Sequence, residues 1–409
     1  MERSLTGENP FESKLTARFE LADLVTFAQN KMTSVYDWFY YKEGFSRDFV
    51  WDALKRLNVG EGSLVLDPFC GTGTTLLAAK QAGYYSVGFD ILPLGVFVSR
   101  VKLKDYDLGR LAKGIARITP LKFGNPRMKL PDIRFLDMRR VYNQYARQDI
   151  AFFMEKILEE EDEKTRNFML LALISIVGQA SNVMKDGGVL KVVRKKHVPP
   201  VRHLLDSKMK RMLRDLKELP PQPRVKWKVN VGDARDIRLE DGSVDAVITS
   251  PPYLNNVDYT KVYALELSLL VQSAREMEEL RRKSLRSHIG AEKRGGKSFD
   301  GMEDIMARVT KTDETVNVPP VVEGYIQDMY ENLSEVARVL KPKGVAAYVV
   351  GNSALPGITV DVDLMLAEMG EKLGLTTEDI WVANARWAGV HDIEKERPVR
   401  ESAVILRKG

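Results

Sequence analysis

The sequence contains very little cysteine and histidine. Its single cysteine, Cys70, cannot form an internal disulfide, and its four scattered histidines lack the spacing of a zinc site. We therefore expect no disulfide framework and no metal site. The 409 residues are enough to bury a large core without either form of support.

Long apolar runs are also absent. The densest apolar stretch, 168–177, has ten residues, whereas a membrane-spanning helix needs roughly 18. The N-terminal residues MERSLTGENPFESK contain no apolar segment of a signal peptide. We expect a cytoplasmic protein without membrane contact. Charged residues make up 29% of the chain, which, with so few cysteines and histidines, is typical of a protein from a thermophile.

Charge is distributed unevenly along the chain. The net charge is +5, but residues 191–230 alone carry 13 basic and three acidic side chains, and a second basic group follows at 281–297. Such patches indicate a polyanionic partner, because phosphate neutralisation releases bound counterions. A solvated helix face is the alternative explanation. The basic residues that we predict to contact the substrate are Lys195, Lys196, Lys210, Arg211, Arg281 and Arg282.

A strand–helix–strand unit is predicted in the first quarter of the chain. The apolar strand 63–67 leads into a glycine-rich turn, a helical pattern at 74–83 and a second strand at 85–90. Two strands joined by a helix within about 30 residues predict a parallel sheet. Further strands are predicted at 228–231, 245–249, 345–350 and in the final segment, ESAVILRK. Other helices are predicted at 19–32, 46–57, 261–282 and 325–340.

The turn after the first strand carries a motif for a nucleotide-like ligand. Its two glycines, Gly71 and Gly73, let the backbone approach a ligand at a helix N-terminus. Leu76 replaces the third glycine of a dinucleotide site, and the lysine of a phosphate loop is missing. Asp67 at the first strand tip can hold an ammonium group, while Asp90 at the second can accept both hydroxyls of a ribose. A ligand with both groups is S-adenosylmethionine.

A second motif, VDAVITSPPY at 244–253, places two prolines directly after a strand. Pro251 and Pro252 fix φ at about −65° and donate no hydrogen bond, so the strand tip is stiff and its carbonyl groups are acceptors. The exocyclic amine of cytosine or adenine is a poor nucleophile, because its lone pair is delocalised into the ring. The Ser250 hydroxyl and the Pro251 carbonyl can accept from that amine and stabilise positive charge in the transition state. Tyr253 can stack on the base once it has left its helix or loop.

Both motifs resemble those of a known enzyme family. DPFCGTGTT (67–75) is similar to motif I, and TSPPY (249–253) to motif IV, of the amino-methyltransferases that modify N4 of cytosine or N6 of adenine. Weaker matches at 38–50, 232–235 and 340–353 extend the resemblance to about half of the chain. The resemblance implies an α/β fold: the Rossmann-like core of class I S-adenosylmethionine-dependent methyltransferases, with a mostly parallel seven-stranded sheet.

The resemblance also implies roles for individual residues. The predicted catalytic residues are Ser250, Pro251, Pro252 and Tyr253. The predicted cofactor-binding residues are Phe45, Asp67, Pro68, Phe69, Gly71, Thr72, Gly73, Asp90, Asp233 and Ala234. Asn255 and Asn256 extend the catalytic loop and are predicted to contact the substrate. A serine before the two prolines favours cytosine N4 over adenine N6 as the target.

The chain departs from a minimal member of this family, because Asp90 and Asp233 are far apart in sequence. We predict a catalytic core at 1–104, 228–270 and 325–409, a helical basic insertion at 105–227, and a loop-and-helix segment at 271–324 that contacts the substrate.

The nature of the substrate is the most open question at this stage. No region dedicated to reading a duplex sequence is recognisable, and the organisation resembles archaeal enzymes of the family that act on cytidine N4 in ribosomal RNA. RNA is therefore the favoured substrate, since a single-stranded base is already accessible. The alternative is DNA, methylated at cytosine N4 or adenine N6, as in restriction-modification systems. A non-catalytic nucleic-acid-binding protein is a third possibility, which the intact motifs disfavour.

Overall fold

The structure is a computed structural model that describes residues 9–121, 124–133, 136–255, 257–271, 273–288, 299–311, 319–388 and 397–409. Within these residues the α-helices are α1 (Arg47–Arg56), α2 (Thr74–Gln81), α3 (Pro93–Leu103), α4 (Leu108–Ile118), α5 (Met138–Val141), α6 (Gln144–Leu158), α7 (Glu163–Ile176), α8 (Val201–Glu218), α9 (Tyr259–Val262), α10 (Ala264–Leu267), α11 (Ala274–Lys283), α12 (Met302–Ala307), α13 (Pro320–Val339) and α14 (Val362–Lys372).

The β-strands in the same residues are β1 (Leu15–Ala17), β2 (Leu64–Asp67), β3 (Tyr85–Asp90), β4 (Val183–Asp186), β5 (Val189–Val192), β6 (Trp227–Val231), β7 (Val244–Thr249), β8 (Thr310–Lys311), β9 (Leu340–Gly351), β10 (Ser353–Leu355), β11 (Ile358–Val360), β12 (Leu375–Ala388) and β13 (Arg397–Lys408).

A central sheet of eight strands has the spatial order β1, β12, β13, β9, β7, β2, β3, β6. Neighbouring strands are parallel except at β13, which is antiparallel to both β12 and β9. The seven strands from β12 to β6 form the mostly parallel, Rossmann-like sheet that the resemblance implies. The short strand β1 adds an eighth strand at the edge, which the sequence analysis did not include.

The order of the strands places a crevice at the middle of this sheet. After β2 the chain builds β3 and β6 on one side, and later β7 and β9 on the other. The carboxyl ends of β2 and β7 therefore border the point where the strand order reverses, which is where open α/β sheets bind their ligands. The strand–helix–strand unit β2–α2–β3 is confirmed, since its apolar strands are buried as expected for a parallel sheet.

Two predicted helices differ from the structure. The segment 19–32 forms only short 3₁₀ turns at Phe19–Leu21 and Gln29–Met32. Its buried Asn30 instead bonds across the chain, donating to the Phe45 carbonyl and accepting from the Arg47 amide, so tertiary contacts override the helical pattern. The predicted helix at 261–282 is instead divided into α9, α10 and α11, and α11 begins as a separate helix because the Ser273 hydroxyl accepts from the Glu276 amide as its N-cap.

Residues 105–227 contain α4 to α8 and one β-hairpin, formed by β4 and β5. Trp38 connects this segment to the core: its ring meets Phe168 edge-on at 5.3 Å and its indole N–H donates to Asp215 at 2.8 Å. Elsewhere, β8, β11 and β10 form a small antiparallel sheet. None of the described helices combines the length and apolarity needed to cross a membrane.

Candidate active site

A cleft of about 370 Å³ opens at the carboxyl ends of β3 and β7. Residues 250–253 of the second motif form one wall, and Asp90 and Phe69 form part of the other. Two smaller pockets adjoin it, and Phe69 lines all three. The structure thus brings both sequence motifs into one continuous site, although they are far apart along the chain.

Asp67 lies beneath this site, almost fully buried at the tip of β2. One carboxylate oxygen accepts the Thr75 hydroxyl at 2.7 Å, and the other accepts the Thr249 hydroxyl at 2.7 Å and the Phe69 amide at 3.1 Å. Burial raises the pKa of Asp67 to about 6, against the opposing effect of these hydrogen bonds. Asp67 therefore connects β2, β7 and the first turn of α2 at the floor of the site.

Asp90 ends β3 and faces the cleft. Its two carboxylate oxygens accept the backbone amides of Gly71 and Leu92, each at 2.8 Å. Burial is the main cause that raises the pKa of this group to about 6. A carboxylate has about four acceptor positions, so these two bonds hold its orientation and leave capacity for a ligand.

The glycine turn comes very close to an aromatic side chain. Gly71 has φ +47°, and a Cβ atom there would lie 3.2 Å from the ring of Tyr41. The Tyr41 ring in turn stacks on Tyr263, with 4.8 Å between ring centres. A side chain at position 71 would therefore be strained and would crowd Tyr41. Phe45, Thr72 and Asp67 line the small pocket on this side, while Gly73 precedes α2 with φ +80°.

The catalytic motif and the residue after it contact three other strands, β9, β10 and β13. The Tyr253 hydroxyl donates to Glu401 of β13 at 3.0 Å. A Cβ atom on Gly351 of β9 would lie 2.9 Å from the Tyr253 ring, which shows how closely the ring packs there. The Ser353 hydroxyl also donates to the Leu254 carbonyl. The loop that follows β7 is thus fixed in place, with Ser250 at the boundary between the cleft and the Phe45 pocket.

Asp233 and Ala234 line the other small pocket with Pro68 and the residues after β3. Both Asp233 carboxylate oxygens are paired with the Arg235 guanidinium, at 2.9 and 2.7 Å. The Asp233 carboxylate therefore reaches this pocket already engaged with a cation, which the sequence analysis did not predict.

The predicted substrate-binding residues do not all lie at the cleft. Asn255 lines the cleft, whereas Asn256 lies outside the described residues. The six basic residues do not line it, and most have local partners. Their contacts are Lys195 with the Gly178 carbonyl at 3.1 Å, Lys210 with Asp206 at 2.7 Å, Arg211 with Asp37, Arg281 with Asp258 at 2.6 Å and Arg282 with Glu278 at 3.8 Å; Lys196 is exposed.

Several residues of the cleft were missed in the sequence. Glu43 lines both the cleft and the Phe45 pocket; one of its oxygens accepts the Tyr263 hydroxyl, and burial raises its pKa. Its position between aromatic residues in the 38–50 match was the available signal. Gly187 and Gly188 also line the cleft, from the turn of the β4–β5 hairpin. Their signal was an Asp-Gly-Gly turn between two β-rich runs.

The site has an acidic side chain at each of two neighbouring strand tips, beside a glycine turn. This arrangement is typical of a methyltransferase whose cofactor contains a nucleoside. Among the described residues, no group of three or more His, Cys, Asp or Glu side chains is arranged to hold a metal ion. The described residues form the Rossmann-like fold of S-adenosylmethionine-dependent methyltransferases.

Comparison with known proteins narrows this class. The family described as DNA methylase (N6/N4 methyltransferase) matches residues 39–93. The chain is 26% identical to the type II methyltransferase M.BsoBI of Geobacillus stearothermophilus, over 89% of this chain and 83% of that protein. It is 27% identical to the type II methyltransferase M.AvaI of a Nostoc strain, over 92% of this chain and 86% of that protein. By these matches the chain is similar to the N4-cytosine/N6-adenine amino-methyltransferases, and S-adenosylmethionine is its cofactor.

Solved structures show only a distant likeness. A methyltransferase from Methanosarcina mazei, described as S-adenosylmethionine-dependent, covers 87% of this chain and 96% of its own, with 9% identity and a TM-score of 0.33. A likeness this distant carries no argument about the activity of this chain. The methyltransferase class is supported instead by the motifs, the sheet topology and the sequence relatives.

Proposed function

We propose that this protein methylates the exocyclic N4 amine of cytosine in duplex DNA. The observation that carries the proposal is the shared cleft, in which Ser250, Pro251 and Pro252 face Asp90 and Phe69. A rigid pair of acceptors is thereby set opposite a site for the methyl donor. The match to a family of DNA methylases supports DNA as the polymer.

The residues of the site fit S-adenosylmethionine. Asp90 is buried, oriented by two amides, and open to the cleft, as a ribose-binding carboxylate needs to be. The pocket lined by Phe69, Ile91 and Leu92 is suited to the adenine ring. The pocket at Phe45 and Asp67 lies on the other side and is suited to the methionine end. When bound there, the cofactor supplies a methyl group on positively charged sulfur.

The chain's own contribution to the reaction is positioning and charge stabilisation. The Ser250 hydroxyl and the Pro251 carbonyl accept from the N4 amine, which favours a pyramidal nitrogen whose lone pair points at the methyl group. Transfer would form the bond from N4 to the methyl carbon and break the bond from that carbon to sulfur, and the proton lost from N4 would pass to solvent. Because Tyr253 is anchored to β13 and Leu254 to β10, the acceptors are already in place when the base arrives.

The comparisons give no support to the RNA substrate that the sequence analysis favoured. The DNA alternative has better support, since the matching family is one of DNA methylases. The two relatives that match over most of the chain are type II methyltransferases. In a duplex target, the cytosine must leave the base stack before its N4 amine can reach Ser250 in the cleft. Serine before the two prolines remains the reason to propose cytosine over adenine.

The test is nucleoside mass spectrometry after incubation with S-adenosylmethionine and, in parallel, unmodified genomic DNA, ribosomal RNA and transfer RNA. We expect N4-methyldeoxycytidine in DNA alone. N6-methyldeoxyadenosine would refute cytosine as the target, and a methylated ribonucleoside without a methylated deoxynucleoside would refute DNA. Ser250→Ala should abolish most of the product, while Ser13→Ala, at an exposed position near the N-terminus, serves as the matched control.

A further inference from the structure

The β4–β5 hairpin reaches the mouth of the catalytic cleft from the segment 105–227. Its two-residue turn, Gly187 and Gly188, lines the cleft together with the catalytic loop. The Gly187 carbonyl accepts from Lys42 at 2.7 Å, and a Cβ atom on Gly188 would lie 2.9 Å from a methyl group of Val257. The tip of the hairpin thus lies between Lys42 on one side and Val257 on the other.

One face of the hairpin is fixed against the body of the protein. The register pairs Val183 with Val192 and Lys185 with Leu190, so these four side chains share a face. Lys185 bonds Glu266 at 2.8 Å and lies 3.8 Å from the centre of the Tyr263 ring. This face holds the hairpin in a defined orientation.

The opposite face projects away from the body. Its side chains are those of the alternate pairs, Met184 with Lys191 and Asp186 with Val189. Met184 is 49% exposed and Val189 is 51% exposed, and both lie on the strands that flank the turn lining the cleft. Two apolar groups are therefore presented outward at the entrance through which a target base must pass.

The charge around these groups matches a nucleic acid. Residues 183–196 contain five basic side chains and one acidic side chain. Arg194 and Lys196 are exposed just beyond the hairpin. Lys185 and Lys191 are already paired with Glu266 and Asp186, so Arg194 and Lys196 supply the positive charge beside the apolar pair. Apolar side chains next to such cations suit a base stack bordered by phosphates, because they enter opened base steps while the cations neutralise the backbone.

We propose that the β4–β5 hairpin enters the duplex beside the target, where Met184 and Val189 occupy the space left by the extruded cytosine. This inference rests on the proposed function. The gap in the duplex is bounded by the flat apolar faces of neighbouring bases, and filling it offsets part of the cost of unstacking. The hairpin needs no change of shape for this role, since its inner face is already fixed.

The experiment begins with wild-type protein, whose target site is mapped by sequencing methylated genomic DNA. Two synthetic duplexes are then made around that site, one fully paired and one with a mismatched base opposite the target cytosine. The mismatch lowers the cost of extruding the cytosine. The test variant is Met184→Ala/Val189→Ala, and the control is Met32→Ala, which truncates another methionine that is 89% exposed.

We expect the double variant to lose at least about tenfold in kcat/KM on the paired duplex and less than about threefold on the mismatched one. The control should match wild type on both duplexes. Cofactor affinity measured by calorimetry should be unchanged, and the conservative variant Met184→Leu/Val189→Ile should retain activity on the paired duplex.

Three results would overturn the inference while leaving the proposed function intact. Wild-type rates for the double variant on the paired duplex would show that the hairpin does not assist extrusion. Equal losses on both duplexes would indicate a general DNA contact. Dissociation of a dimer by the double variant, seen by light scattering, would assign the apolar face to a second copy of the chain. Failure of wild-type protein to methylate any DNA would instead refute the proposed function, and the inference with it.

Discussion

The Thr249 hydroxyl donates to the Asp67 carboxylate at 2.7 Å, across 182 residues of sequence. Thr249 is the last residue of β7 and Asp67 the last of β2, so this bond joins the catalytic motif to the cofactor motif. Neither side chain is appreciably exposed. In the proposed reaction, this one buried hydrogen bond helps to set the distance between the methyl donor and the target amine.

Removing that bond should destabilise the protein. In Thr249→Val the Asp67 carboxylate keeps its burial but loses one donor, and we expect the free energy of unfolding to fall by about 1–3 kcal/mol. Denaturant titration measures the change. Thr249→Ser restores a hydroxyl and should recover most of the loss. Equal stability of the valine and serine variants would contradict a role for this hydrogen bond.

Cofactor affinity should depend on pH near the pKa of Asp90. Burial raises that pKa to about 6, and the pKa of Asp67 is also about 6. A raised pKa means that these carboxyls become protonated as the pH falls below about 6, which removes negative charge facing a cationic ligand. Calorimetry from pH 5 to 8 should therefore show affinity rising with pH. Asp90→Asn should bind weakly with a smaller pH dependence; an unaltered profile would exclude Asp90 as its source.

Ser250→Ala should separate catalysis from cofactor binding. The serine contacts the base in the proposed reaction, so its loss should lower kcat by about 10²–10³-fold. Cofactor affinity should change little, because Asp90 and the adenine pocket are untouched. Single-turnover kinetics and calorimetry on the same preparation test this split. A parallel loss in both quantities would indicate damage to the fold.

The basic residues should differ in their effect on DNA binding. Lys195→Gln/Lys196→Gln removes charge next to the hairpin, and it should weaken binding and reduce the salt slope by about 1–2. Lys210→Gln/Arg211→Gln should have a smaller effect, because both side chains are already paired with acidic residues. Fluorescence anisotropy at several salt concentrations compares the pairs. Equal effects would show that local pairing does not determine the DNA contact.

Some parts of the fold could be predicted from the sequence because the determinants are local. The strand before the glycine turn, the helix after Gly73 and the next strand each carry their own pattern, and Ser46 caps α1 by accepting from the Phe49 amide. The helix predicted at 19–32 was wrong, because the Asn30 side chain bonds the Phe45 carbonyl and the Arg47 amide, which lie 15 and 17 residues further along the chain. No local pattern contains that information.

The positions of some residues in the candidate site could also be predicted from local sequence patterns. The strand-tip residues could be found, because parallel strands bring their carboxyl ends to one edge of a sheet. The approach of Gly187 and Gly188 to the cleft could not, since it depends on how a long insertion folds back. The basic patches could not distinguish the polymer, because they attract RNA and DNA alike, and the comparisons support the DNA alternative better than the RNA that was favoured. The thermophilic source and the cytoplasmic location stay predictions.

Residues 38–43 connect the two substrates of the proposed reaction. Trp38 is anchored in the core of the 105–227 segment, Tyr41 packs near the cofactor turn, and Lys42 holds the hairpin turn. One backbone segment thus contacts both ligand sites, so a shift of this segment at either site is felt at the other. The resulting cooperativity must be reciprocal: any factor by which the cofactor tightens DNA binding is the factor by which DNA tightens cofactor binding.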